Sequence, residues 1–345
     1  MQKLKIKKPL KLELGSVLKE LTIAYHTIGK LNANKNNVVW ITHALTGDTH
    51  PEKWWSGLVG KGKLYDPSDY FIICANVPGS VYGSTGPLSI NPDTGQFYYQ
   101  YFPELTIRDI VKAFELLRAH LGIGKIHTII GGSLGGQQAL EWAVSQPGLF
   151  DYVIPIAASA KHSPWGVALN ETQRMAIQTD PTWHAQFPDA AKKGLRAARA
   201  IALLSYRNQQ IYNITQHDGD RPVGEYRAAS YQQYQGDKFV RRFNAYAYWF
   251  LTKAMDSHDI GRNRGGIKEA LKRIEAKVLF LGINSDILFP TDHIQEIAFH
   301  TPNAQYREIE SLYGHDGFLL EFEQIDTFIQ EFYISTKQEH YELHI

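Results

Sequence analysis

The amino-acid sequence predicts an α/β fold: a mostly parallel central sheet with helices on both faces, interrupted by a helical insertion. Three observations carry this. First, apolar runs at 38–42, 70–76, 152–157 and 277–282 have the near-continuous hydrophobicity of strands buried on both faces. Second, KIHTIIGGSLGGQQALEWAVSQP at 125–147 reads as strand, glycine-rich turn and helix in succession. Third, no convincing parallel strand appears from about 163 to 264. Helically spaced apolar and aromatic residues take over there, as in Leu195, Ala198, Ile201, Ala202 and Leu204. The chain therefore divides into a first part of the core at 1–162, a helical lid insertion at 163–264 and a second part of the core at 265–345.

The elements follow in order. Residues 1–30 read as edge strands, because Leu4 and Ile6, then Leu10, Leu12 and Leu14, then Leu21, Ile23 and Tyr25 alternate with other residues. After a polar turn at 32–37, the strand at 38–42 runs into His43-Ala44-Leu45-Thr46-Gly47-Asp48. The strand at 70–76 feeds PGSVYGSTGP at 78–87, a long loop rich in backbone donors and of the length that is usually functional. A helix begins near Thr106, with Ile110, Val111, Phe114, Leu117 and Leu121 on one face. Thr106 and Asp109 resemble a capping box with a shortened acid. Branched residues at 126–130 make the next strand, and a helix from Gln137 to Gln146 is stopped by Pro147. Beyond the insertion, strands are expected at 277–283 and 305–309, and a helix at 318–332.

Bulk properties narrow the function classes. The 345 residues suffice for one large domain with an insertion or for two domains. Apolar content of 43% with 21% charged residues fits a soluble globular protein rather than a disordered one. A formal net charge of +1 supplies no bulk drive towards nucleic acid or anionic membrane. The single cysteine, Cys74, sits in the apolar run YFIICANV and reads as a core residue; it allows no intrachain disulfide and fits a reducing compartment. The basic N-terminus lacks the apolar segment of a signal peptide, and no window is long enough to span a membrane, so the cytoplasm is the expected location.

The glycine-rich turn carries the chemistry. Gly131 and Gly135 flank Ser133 in the pattern G-x-S-x-G at a strand-to-helix turn, the form of a nucleophile elbow. A phosphate cradle is the rival, but the G-x-G-x-x-G spacing and the Walker Lys-Thr or Lys-Ser are both missing. A serine hydroxyl needs a base, and the base needs a third group to orient it. With this elbow the expected chain order is Ser, acid, His. Asp286 leaves the strand at 277–283 and is the acid; His315, between Gly314 and Gly317 after the last strand, is the base. Acyl transfer also needs two donors for the developing oxyanion. One is the N–H of Leu134, and the loop at 43–48 is placed to supply the other.

Together these motifs resemble the homoserine O-acyltransferase family of the α/β-hydrolase superfamily, over nearly the whole chain. The resemblance rests on THALTGDTH at 42–50, NVPGSVYGSTGPLSINPDTG at 76–95, FPELTIRD at 102–109, GGSLGGQQALEWA at 131–143, YQGDKF at 234–239, LTKAMDSHD at 251–259, SDILFP at 285–290 and GHDGFL at 314–319. It implies an α/β-hydrolase fold and a two-step transfer. Ser133, activated by His315, would attack acetyl-CoA, with the oxyanion on the N–H groups of Leu45 and Leu134. The hydroxyl of L-homoserine would then take the acetyl group, giving O-acetylhomoserine for methionine synthesis. It further implies Asp316 for the homoserine ammonium, Arg199 for the carboxylate, Tyr206 in the same pocket, and a homodimer formed through the lid. One departure lies in the glycine loop, where Gly79-Ser80-Val81-Tyr82-Gly83 replaces the Gly-Gly-Cys or Gly-Ser-Cys-like step common in the family.

Three alternatives stay open at this level: a succinyl-CoA-dependent or serine-directed acyltransferase, a serine esterase with the same triad, and a non-catalytic protein on a hydrolase scaffold. No bound cofactor is expected. Nor is a metal site, since His43 and His50 lack the His-Glu-x-x-His spacing, and His340 and His344 fall in a charged tail expected to be exposed.

Overall fold

The computed structural model describes residues 1–342, without the side chains of 337 and 339–342. The tail histidines expected to be exposed, His340 and His344, thus fall outside the described side chains. The strands are β1 (Gln2–Ile6), β2 (Leu10–Lys11), β3 (Val17–Leu18), β4 (Leu21–Ile28), β5 (Val38–Thr42), β6 (Phe71–Ala75), β7 (Ile126–Gly132), β8 (Phe150–Ile156), β9 (Lys277–Ile283) and β10 (Ala304–Ile309). Eight of them form one sheet in the order β1-β4-β6-β5-β7-β8-β9-β10. β4 runs antiparallel to both β1 and β6, and every pairing from β6 to β10 is parallel. This is the α/β-hydrolase arrangement that the sequence predicts.

The parallel strands are apolar because both faces of the sheet are covered. Trp40, Ile129, Val153 and Val278 point into one core with α2 (Ile107–His120) and α3 (Leu134–Ser145). Val39, Ile41, Ile130, Leu279 and Leu281 point into the other, with Trp55, Ile325, Ile329 and Phe332. Trp55 follows the short α1 (Pro51–Trp54). Thr106 caps α2 with the complete reciprocal box, since the Asp109 carboxylate accepts from the Thr106 N–H and the Thr106 hydroxyl accepts from the Asp109 N–H.

Between β8 and β9 the described chain adds no strand to the sheet. It forms α4 (Pro164–Gln178), α5 (Lys192–Tyr206), α6 (Gln209–Thr215), α7 (Arg227–Phe239), α8 (Ala245–Asp256) and α9 (Ile267–Leu271). After β9 come α10 (Thr291–His300) and α11 (Phe322–Glu342). None of the described helices is long and apolar enough to cross a membrane.

Three local expectations shift. The Leu10–Leu14 alternation makes only a two-residue strand, paired with β3 in a separate ribbon; Leu12 is buried there and Leu14 is exposed. The helix expected from Gln137 starts at Leu134, because the chain turns into it directly at Ser133. The helix expected at 318–332 begins with a 3-10 segment at Gly314–Leu319, after which α11 runs on to Glu342.

The strand order reverses at β5: β6 lies on one side of it and β7 on the other. Ligands of open α/β sheets bind outside the C-terminal ends of the strands at such a switch point. The loops leaving β5 and β7 are those that carry Leu45 and Ser133.

Candidate active site

Ser133 occupies the apex between β7 and α3 with φ 58° and ψ −126°, a conformation L-residues avoid. Such a backbone costs on the order of 1–3 kcal/mol and persists only where the surroundings enforce it. Here they do so by crowding. A Cβ at Gly135 would lie 2.2 Å from the Thr42 carbonyl oxygen, and one at Gly131 would lie 2.2 Å from Thr42 Oγ1. The two glycines let β5 and the start of α3 close on each other, and Thr42 Oγ1 seals the approach by donating to the Gly135 carbonyl at 2.8 Å.

His315 stands on the loop after β10 and Asp286 on the exit of β9. Their Nδ1 and Oδ2 atoms are 2.6 Å apart, and both side chains are almost fully buried. Asp286 Oδ1 accepts from the backbone N–H groups of Leu288 (2.7 Å) and Phe289 (3.0 Å). These bonds aim the other oxygen at the imidazole. With Nδ1–H committed to the carboxylate, Nε2 is the free acceptor, and among the described residues it has no partner. Phe289 stacks on the His315 ring at 5.3 Å, and Phe318 meets it edge-on at 5.4 Å.

Ser133 and His315 line one small cavity of about 80 Å³, together with Leu45, Arg199, Tyr206 and Asp316. Residues distant in sequence thus converge on the serine. As the first residue of α3, Leu134 has no intrahelical acceptor for its N–H. Among the described residues neither that N–H nor the one of Leu45 makes a hydrogen bond. The Leu45 loop is braced by His43. The Val77 N–H donates to His43 Nε2 at 3.0 Å, so Nδ1 carries the proton given to the Ala44 carbonyl at 2.8 Å. Complete burial pushes the His43 pKa down and keeps the ring neutral in that role.

Arg199 extends from α5 over the rings of Phe239 (5.1 Å) and Tyr206 (5.4 Å), which hold a guanidinium without neutralising it. No ion pair engages it among the described residues. Tyr206 lies 5.9 Å from the His315 ring, and burial pushes its phenol up. Asp316, directly after the base, accepts from Arg207 Nε at 3.2 Å. Burial raises its carboxyl, and Arg207 is the strongest of the cations that oppose this. The cavity therefore offers a cation and a carboxylate beside one serine.

Several residues escaped sequence reasoning. Arg207 reaches Asp316 across 109 positions, a pairing that no local signal announces. Arg242 donates to the Thr46 carbonyl at 2.9 Å and to the Tyr82 hydroxyl, joining the helical segment to the loop after β5 and to the glycine-rich loop. Gln137, one turn into α3, bonds His162 Nδ1 at 3.2 Å, and Asn170 bonds His162 Nε2 at 3.2 Å. Away from the serine, His26, His50 and Glu52 bring their donor atoms together, though only two of them are close in sequence.

Comparison with known proteins agrees with this geometry. A family model described as the alpha/beta hydrolase fold matches residues 37–322. The chain is 52% identical to a homoserine O-acetyltransferase of Cyclobacterium marinum, over 94% of this chain and 93% of that one. It superposes on the crystal structure of homoserine O-acetyltransferase from Bacillus anthracis with a TM-score of 0.90 and 25% identity, covering 96% of each chain. It also resembles an acetylester hydrolase from Corynebacterium glutamicum, with a TM-score of 0.85 and 26% identity over 96% of this chain and 95% of that one.

Proposed function

Since the chain belongs to the homoserine O-acetyltransferase family, its reaction is acetyl transfer to homoserine in methionine biosynthesis, and we propose that Ser133, His315 and Asp286 carry it out. Acetyl-CoA is the co-substrate that this activity implies. The single observation supporting the assignment is the cavity in which a strained serine, an Asp-oriented imidazole with a free Nε2, a cation and a carboxylate meet.

In the first half-reaction His315 Nε2 takes the Ser133 proton as Oγ attacks the thioester carbonyl. The N–H groups of Leu45 and Leu134 receive the oxyanion. The C–S bond breaks, the thiolate recovers the proton from His315, and coenzyme A leaves behind acetyl-Ser133. In the second half-reaction homoserine enters with its ammonium at Asp316 and its carboxylate at Arg199, a group suited to bidentate pairing. His315 removes the proton of the side-chain hydroxyl, the alkoxide attacks the ester, and Ser133 leaves as it is reprotonated. Tyr206 closes the wall between Arg199 and the base. Asp286 holds the imidazole in the Nδ1–H tautomer throughout.

The 163–264 segment acts as the lid, which is supported by Arg199 and Tyr206 reaching the serine from α5. We also propose a cytoplasmic homodimer joined through this lid. Exposed Leu204, Ile214 and Val223 support that surface.

The test is mass spectrometry of enzyme mixed with acetyl-CoA alone. An acetyl mass on the peptide bearing Ser133, discharged rapidly by homoserine and slowly by water, is the expected result. Equal discharge with and without the amino acid would make the enzyme an ester hydrolase, the activity named for its Corynebacterium neighbour.

A further inference from the structure

Among the described residues outside the active site, one cluster has the make-up of a metal centre. His26 lies on β4, opposite Cys74 of β6. His50 and Glu52 stand where the oxyanion loop enters α1. One ring nitrogen of each histidine and one carboxylate oxygen of Glu52 lie within 4.8 Å of one another. His50 Nδ1 and Glu52 Oε1 are 3.1 Å apart. Two donors on a tetrahedral ion, each at about 2.0 Å from it, stand roughly 3.3 Å apart. That pair is therefore already at ligand spacing, and a ring nitrogen of the half-buried His26 lies within 4.8 Å of both.

Two further observations point to an ion rather than a surface hydrogen bond. Among the described residues Glu52 Oε2 is buried without a hydrogen-bond partner, an expense a structure seldom leaves unrelieved. The His26 and His50 rings approach to 4.7 Å at a tilt of 48°, close for two groups that repel once protonated. Two imidazoles and one carboxylate exclude the hard cations calcium and magnesium and suit the zinc class.

We propose that His26, His50 and Glu52 bind one divalent transition ion of the zinc class, with solvent completing its shell. The ion ties the antiparallel edge of the sheet to the far end of the loop that carries Leu45.

The experiment uses full-length enzyme without a histidine tag. Zinc binding is followed by equilibrium dialysis, and cobalt binding by its visible ligand-field bands. The expected result is one equivalent bound, with affinity at least about tenfold weaker in each of His26→Gln, His50→Gln and Glu52→Gln. Circular dichroism and melting of the variants matching the metal-free wild type show them folded. Absence of a bound equivalent in the wild type would overturn the proposal, and so would binding of unchanged affinity in the His26→Gln/His50→Gln double variant. The latter result would place the ion on other histidines, His315 among them. The assignment of acetyl transfer stands in either case.

Discussion

At the scale of single residues, the site separates steps that are usually lost together. Ser133→Ala removes the atom that forms the ester, so no acetyl-enzyme should accumulate; a labelled Ser133→Ala protein would show another nucleophile. Asp286→Asn keeps the shape but favours the wrong imidazole tautomer, and kcat should fall by about 10⁴-fold. In the proposed mechanism Arg199 and Asp316 serve the acceptor. Arg199→Lys loses the planar fork, and Asp316→Asn loses the charge for the ammonium. Each should raise KM for homoserine by roughly 10- to 100-fold, while the burst of coenzyme A on first acetylation stays intact. A burst that vanished in either variant would move that residue to the donor step. Asp316→Asn also strands Arg207 without its partner, so its thermal stability should be measured alongside.

At the scale of elements, the serine turn and the contact of the helical segment with the core depend on close approach. Gly135→Ala drives a methyl into the Thr42 carbonyl, and the displacement passes directly to Ser133 and the Leu134 N–H. A shift of about 1 Å at such a site costs on the order of 10²-fold in rate, so kcat should drop by at least that factor in any fraction that folds. Arg242 is a gentler probe. It holds the Thr46 carbonyl beside Leu45, and it also holds Tyr82 and packs on Phe239. Arg242→Ala should reduce kcat/KM roughly five- to tenfold, the worth of about one ordinary hydrogen bond, with little change in melting temperature. A full loss of stability instead would make Arg242 a fold residue rather than a brace for the loop.

At the scale of the whole molecule, two neutral histidines set the acid limit. Burial lowers His258 to about 3 and His162 to about 4. Both sit where the helical segment meets the core: His258 bonds the Ser159 carbonyl, and His162 bonds Gln137 of α3. The unfolded chain takes up these protons near pH 6.5 and the folded chain does not. The stability they contribute is therefore complete above about pH 6.5 and is lost as pH falls towards 4 and then 3. Chemical denaturation between pH 7 and 4 should show this slope, and His258→Gln should flatten it. The sequence made the sheet, the elbow and the positions of Ser133, Asp286 and His315 legible, because buried parallel strands and the serine turn leave local signatures. Arg207, Arg242 and the His26–His50–Glu52 cluster were not legible, since each pairing spans elements that only the tertiary fold brings together. The size of the cavity has a last consequence. At about 80 Å³ it accommodates the reacting end of one substrate at a time, so traffic through it is exclusive. Homoserine that arrives before the acetyl group blocks the serine it is meant to relieve. Excess acceptor should therefore inhibit, competitively against acetyl-CoA, and the pace of synthesis would then follow the ratio of the two metabolites rather than the supply of either alone.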